Sequence, residues 1–194
     1  KYGNFTYGFI AFFAIVIFAY YFFPKKFQWA FLLAASYFFY AFSGLENFAF
    51  ILTTTLSCYI VARVIENKKV KEDDYIALHK EDMDKESRKA YREKGKKSRR
   101  TVLVIGLLIN FLLLAVLKYT AFVLGNVNSL IGLFNESAKL SIPSLILPLG
   151  ISFFVFQSTA YLIDVYRGKT NADKNLGKFA LYVSFFPQII QGPI

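Results

Sequence analysis

Three polar side chains recur along an apolar run near the end of this 194-residue chain. Gln157, Tyr161 and Asp164 stand 4 and 3 residues apart, the spacing that places side chains on one face of an α-helix. Residues 145–163 around them carry no charge. An amide, a phenol and a carboxylate on such a face can line a polar cavity or tunnel, with Gln157 at membrane depth, where an unpartnered amide is costly, and Asp164 near the inner surface. A structural use is equally open. Gln157 and Tyr161 can bond to neighbouring helices while Asp164 pairs with Arg167 at the membrane edge.

Gln188, Gln191 and Gly192 form a second candidate group. They lie in the apolar run 179–194, which Pro187 and the Gly192-Pro193 pair interrupt. Proline removes a backbone donor, and broken backbone at membrane depth survives where protein or a water-filled cavity receives its polar groups. These residues therefore border such a cavity, or the segment is a bent interfacial helix with no site.

Other reactive side chains are isolated. His79 is the only histidine and sits in a charged block without a second histidine or cysteine near it, which reads as a solvated residue. Cys58, the only cysteine, lies among Thr53, Thr54, Thr55 and Ser57, where a small packing role fits. Asn110 reads as a helix-to-helix hydrogen bond. No phosphate-binding loop, dinucleotide fingerprint or nucleophile elbow is present. The sequence assigns no catalytic, cofactor-binding or metal-ligating residue.

The elements that must carry these groups are helices. Hydrophobic residues make up 56% of the chain and aromatics 19%, and the charges are segregated rather than interleaved. A hydrocarbon core of about 30 Å needs about 20 helical residues. Spans are expected near 5–23, 27–43, 47–65, 101–120 and 145–166, the second being short. The class is thus all-α: a polytopic transmembrane helical protein of about five spans plus a broken or re-entrant C-terminal helix over 179–194. The first run is too long for a signal peptide and ends in aromatics instead of small residues.

The formal net charge of +10 would suit nucleic acid on a soluble domain, but its distribution argues otherwise. Thirteen of the 23 basic residues fall in 66–100, two in 24–26 and four in 167–178. That alternation is the positive-inside pattern. It puts the N-terminus outside and the charged block 66–100 in the cytoplasm, with membrane lipids as the expected surroundings and no nucleic acid.

The block is itself polarised, with seven acids in 72–86 and eight bases in 87–100. Glu81/Lys85, Asp84/Arg88 and Glu93/Lys97 have helix-supporting spacing. A helical hairpin, or a single helix with frayed ends, is expected. It is either an anchor on anionic lipid or a solvated loop obeying the orientation rule. Phe122–Phe134 mixes apolar residues with Gly125, Asn126, Asn128, Ser129 and Gly132 and predicts a separate interfacial helix on the outer face. Pro143 and Pro148 fall near the start of the fifth span.

The stretches LPLGISFFVFQSTAYLIDVYRG (147–168) and FALYVSFFPQIIQGPI (179–194) resemble the membrane-bound O-acyltransferase family. FFPKKFQWAFLLAASYFFYAF (22–42) is similar to the first two helices of the alginate O-acetyltransferase-like branch. The resemblance implies transfer of an acetyl or other acyl group from a cytosolic thioester, acetyl-CoA or another acyl thioester, to hydroxyls of a cell-surface polysaccharide. It further implies a bacterial plasma membrane and an extracytoplasmic acetyl-transfer partner protein. The family's intramembrane histidine base is expected beyond the Gly-Pro-Ile motif, and His79 does not correspond to it. With Lys1 in place of Met and an end at Ile194, the chain is expected to be an N-terminal portion, inactive by itself. A transporter or polysaccharide flippase module is the alternative, and a structural membrane subunit a third reading.

Overall fold

A computed structural model describes residues 2–42, 45–132 and 151–185. These residues form six helices and no strand: α1 Tyr2–Phe22, α2 Gln28–Phe42, α3 Leu45–Leu78, α4 Lys85–Gly132, α5 Ile151–Arg167 and α6 Leu176–Ser184.

Pro24 ends the α1 run, since the residue before a proline disfavours helical backbone. The turn closes through Phe27 N–H to Pro24 C=O at 2.8 Å. The Gln28 amide donates to the Tyr20 and Phe23 carbonyls at 3.4 and 3.2 Å, satisfying acceptors that the end of α1 leaves open.

α3 and α4 have 34 and 48 residues. At about 1.5 Å per residue they run about 51 and 72 Å, well beyond the ~30 Å hydrocarbon core. Their excess length is the block 66–100, folded as a helical hairpin. Asp84 caps α4 by accepting from Ser87 N–H at 2.8 Å. Arg88 bridges the turn by donating to the Met83 and Lys80 carbonyls. Tyr75 stacks on both His79 and Tyr91, at 4.2 and 4.7 Å between ring centroids. Below the tip, Glu72 and Arg99 form a buried ion pair across the seam.

The three charge pairs expected to support a helix form no ion pair among the described residues. Glu81 and Asp84 precede α4, so they lie in the turn and not one helical turn before their partners. A second correction concerns 122–134. α4 continues without a break through Phe122 to Gly132, so no separate interfacial helix starts there. No proline interrupts it, one internal glycine costs only about 1 kcal/mol, and Ser129 Oγ donates back to the Gly125 carbonyl at 3.0 Å.

α3 is the central helix, in contact with α2, α4, α5 and α6. Cys58, Ala62 and Ile65 of α3 pack with Phe154, Val155, Leu162 and Val165 of α5 and Phe179 and Val183 of α6. At Gly106, α4 comes so close to α3 that an added Cβ would stand 2.8 Å from Val61 Cγ1 and 2.9 Å from Cγ2. On its outer side, α4 exposes an apolar stripe at helical spacing. Val104, Leu108, Leu112 and Val116 are 44–66% accessible. Such a stripe suits lipid and would be a liability in water.

Among the described residues, two helices pass the length and hydropathy needed to cross a membrane, within Phe48–Leu78 and Lys85–Thr120. Of the other expected spans, α1 has 21 residues, α2 has 15 and the described part of the fifth, α5, has 17.

Candidate functional site

The site forms where α5 ends and the chain turns into α6. α5 stops at Gly168, whose φ of +73° lies in the left-handed region that favours glycine. Gly168 N–H donates to the Val165 carbonyl and Lys169 N–H to the Asp164 carbonyl, each at 3.0 Å. This paired closure satisfies the last acceptors of the helix.

The loop that follows is fastened from three sides. Glu66 on α3 accepts from Ala172 N–H at 3.2 Å through one carboxylate oxygen and from Arg63 at 3.1 Å through the other. Tyr59 donates its hydroxyl to the Lys174 carbonyl at 3.0 Å. Tyr161 accepts from Asp173 N–H at 2.8 Å. Asn175 then caps α6, accepting from Gly177 and Lys178 N–H groups at 2.9 and 3.2 Å. Asn175 N–H is itself held by Asp173 Oδ1 at 3.0 Å.

An open cavity of about 670 Å³ lies against this loop, with Tyr161, Asp164, Asp173, Lys174, Phe179 and Tyr182 in its wall. The Tyr161 ring packs on Phe179 at 4.8 Å and lies 6.1 Å from Tyr182. One turn earlier, Gln157 Nε2 donates to the Tyr182 carbonyl at 3.1 Å. Gln157 and Tyr161 thus bond to neighbouring elements, as the structural use expects. Asp164 does not follow that use. No Asp164–Arg167 ion pair forms among the described residues, and Asp164 borders the cavity instead. Gln188, Gln191 and Gly192 lie outside the described residues.

The wall offers two carboxylates, an ammonium and two phenols. These groups can bind, orient and desolvate a polar substrate. Among the described residues, no group of three potential metal ligands occurs. His79 lies in the turn after α3, at the tip of the hairpin, and bonds through Nδ1 to the Tyr75 carbonyl at 3.0 Å. Cys58 is fully buried. Asn110 donates to the Gly106 carbonyl of its own helix at 2.8 Å, and its side chain also bonds to Cys58 on α3, the helix-to-helix contact that the sequence predicts.

Sequence reasoning missed Glu66, Tyr59 and Asp173. Glu66 follows the third apolar run directly, and a carboxylate there was the available signal. Its partner stands 106 residues away, beyond the reach of local pattern.

The sequence comparisons bear on this arrangement. Over 92 residues, 47% of the chain, it is 40% identical to the probable alginate O-acetylase AlgI of Azotobacter vinelandii, covering 18% of that protein. Its counterpart in Pseudomonas aeruginosa is 39% identical over 92 residues, again 18% of that protein. The chain is related to the alginate-type O-acetylases. The resemblance to the membrane-bound O-acyltransferase family therefore stands. A peptidoglycan O-acetyltransferase of Helicobacter pylori extends the likeness, 33% identical over 196 residues that take in 89% of this chain and 31% of the relative. The chain spans less than a third of the length of each of these O-acetylases. No family model and no solved structure matches it.

Proposed function

We propose that this chain supplies helices of an integral-membrane O-acyltransferase that moves an acetyl group from a cytosolic thioester, acetyl-CoA or another acyl thioester, to hydroxyls of a cell-surface polysaccharide. The likeness to O-acetylases of alginate and peptidoglycan carries the reading. An extracytoplasmic transfer partner protein completes it. The α5–α6 cavity is the wall of the donor's path, with Asp164 and Tyr161 facing the passing group and Gln157 above them. The chemical step itself is assigned to no residue of this chain, which contributes scaffold and tunnel and is inactive alone.

The topology follows from the charge distribution. Five spans thread a bacterial plasma membrane with the N-terminus outside and the α3–α4 hairpin in the cytoplasm. The cavity then opens on the cytoplasmic side, because its loop lies within 167–178, one of the basic segments.

The test is transfer of labelled acetyl from acetyl-CoA to alginate or peptidoglycan by membranes carrying the natural protein that contains these residues. Transfer that falls in Asp164→Asn and Tyr161→Phe supports both the reaction and the cavity. Absence of transfer from acetyl-CoA and from acylated carrier protein sinks the reaction. Movement of polysaccharide without acylation points to a transporter instead.

A further inference from the structure

The hairpin charges are sorted by height above the apolar segments. Residues 66–73 and 94–100 stand level across the hairpin, whose register the Glu72–Arg99 pair and the Tyr75–Tyr91 stack set, and carry eight bases, Lys68, Lys69, Lys71, Lys94, Lys96, Lys97, Arg99 and Arg100, against three acids, Glu66, Glu72 and Asp73. Residues 74–93, farther out, carry five bases and six acids. The excess is 8 − 3 = +5 near the spans and 5 − 6 = −1 beyond them.

Structure adds what a floppy loop would lack. The bases ride on two long helices locked together by the buried Glu72–Arg99 pair and by the Lys68–Ser98 hydrogen bond at 2.7 Å. Glu66 is occupied by Arg63 and the Ala172 amide, so it does not neutralise the collar. Lys94, Lys96, Lys97 and Arg100 are exposed and pair with no carboxylate among the described residues. They lie within seven residues of Thr101, where the apolar part of α4 begins. At about 1.5 Å per residue that is about 10 Å, close to one Debye length at physiological salt.

We propose that this collar binds anionic phospholipid headgroups of the cytoplasmic leaflet and fixes the height of the hairpin against the membrane. The occupant is lipid because the collar abuts the apolar segments, while the hairpin beyond it has no basic excess to hold a soluble polyanion. The inference rests on the proposed topology but not on acyl transfer.

The experiment titrates the detergent-purified protein with short-chain phosphatidylglycerol or phosphatidylcholine and counts bound lipids by native mass spectrometry. The wild type should retain phosphatidylglycerol preferentially. A variant combining K94Q, K96Q, K97Q and R100Q should lose at least about tenfold in phosphatidylglycerol affinity, since each base near the surface is worth about fivefold. Replacing the three lysines by arginine should preserve binding, which separates charge from misfolding. Equal retention of the two lipids, or full retention by the neutralised variant, overturns the proposal. So does inorganic pyrophosphate binding at these residues without any lipid preference, which would assign the collar to a soluble phosphate ligand. Acetyl transfer measured separately keeps the two readings apart: lipid binding without transfer refutes only the enzyme, and transfer without lipid binding refutes only the collar.

Discussion

Glu66→Ala removes the fastening that joins α3 to the cavity loop. Two interactions go at once. The first is the hydrogen bond from Ala172 N–H, at a residue only 4% exposed. Loss of a buried acceptor costs about 1–3 kcal/mol. The second is the Arg63–Glu66 ion pair, whose side chains are 31% and 19% exposed. Solvent screening keeps that term to about 0.2–1 kcal/mol. Together they give about 1–4 kcal/mol for opening the loop, and at about 1.4 kcal/mol per decade the Ala172 amide should exchange about fivefold to several hundredfold faster. Hydrogen–deuterium exchange of peptides covering 168–175 reads this directly. Glu66→Gln keeps an acceptor and loses only the ion pair, so its acceleration should stay below about fivefold. Tyr161→Phe provides the control, freeing the Asp173 amide while Ala172 stays protected. If Glu66→Ala leaves Ala172 exchange at the wild-type rate, Tyr59 and Tyr161 hold the loop without Glu66 and the reasoning fails.

Gly168→Ala should lower thermal stability by about 1–2 kcal/mol, because φ of +73° strains an L-residue, with Gly168→Asn milder; an unchanged melting temperature would contradict the left-handed closure of α5. Gly106→Ala should cost about 1–2 kcal/mol after its gain in helix propensity, since both Val61 methyls obstruct the new Cβ. Adding Val61→Ala should recover most of that loss in a double-mutant cycle, and strict additivity would refute the contact. The Asp84 carboxyl is held below its ordinary range by the Ser87 hydroxyl and amide, with a smaller pull from the Arg88 charge. Its contribution is therefore present above the unfolded carboxyl pKa of about 3.9 and disappears as pH falls through the lower folded value. Circular dichroism of the wild type and Asp84→Ala should differ at neutral pH and converge below about pH 4, and a difference persisting at low pH would exclude the carboxylate as the cap.

Much of this protein was legible as pattern. Helical class, the positions of the apolar runs and the segregated charge follow from local hydrophobicity, because each helix satisfies its own backbone and its length must match the medium. The 157/161/164 face was also legible, since helical periodicity is local. Its use was not. Gln157 and Tyr161 found partners 25 and 12 residues away, and Asp164 was left at a cavity that exists only because the next loop folds back over α5.

Helix ends and continuations were the weak point. The polar residues of 122–132 suggested a new helix, yet nothing in them stops α4, and a helix that needs no new nucleus simply continues. The Asp84/Arg88 spacing suggested a surface pair, while the turn used both side chains for backbone groups that lacked partners.

Alone, the sequence determined what each segment could tolerate as surroundings: apolar runs for lipid, a basic collar beside them, and a family likeness carried by short motifs. Tertiary structure decided which polar groups would be occupied and which would face open space. A carboxylate such as Glu66 has the same chemistry wherever it sits. Only the fold brings Ala172 to it, and only that closure makes a cavity beside Asp164.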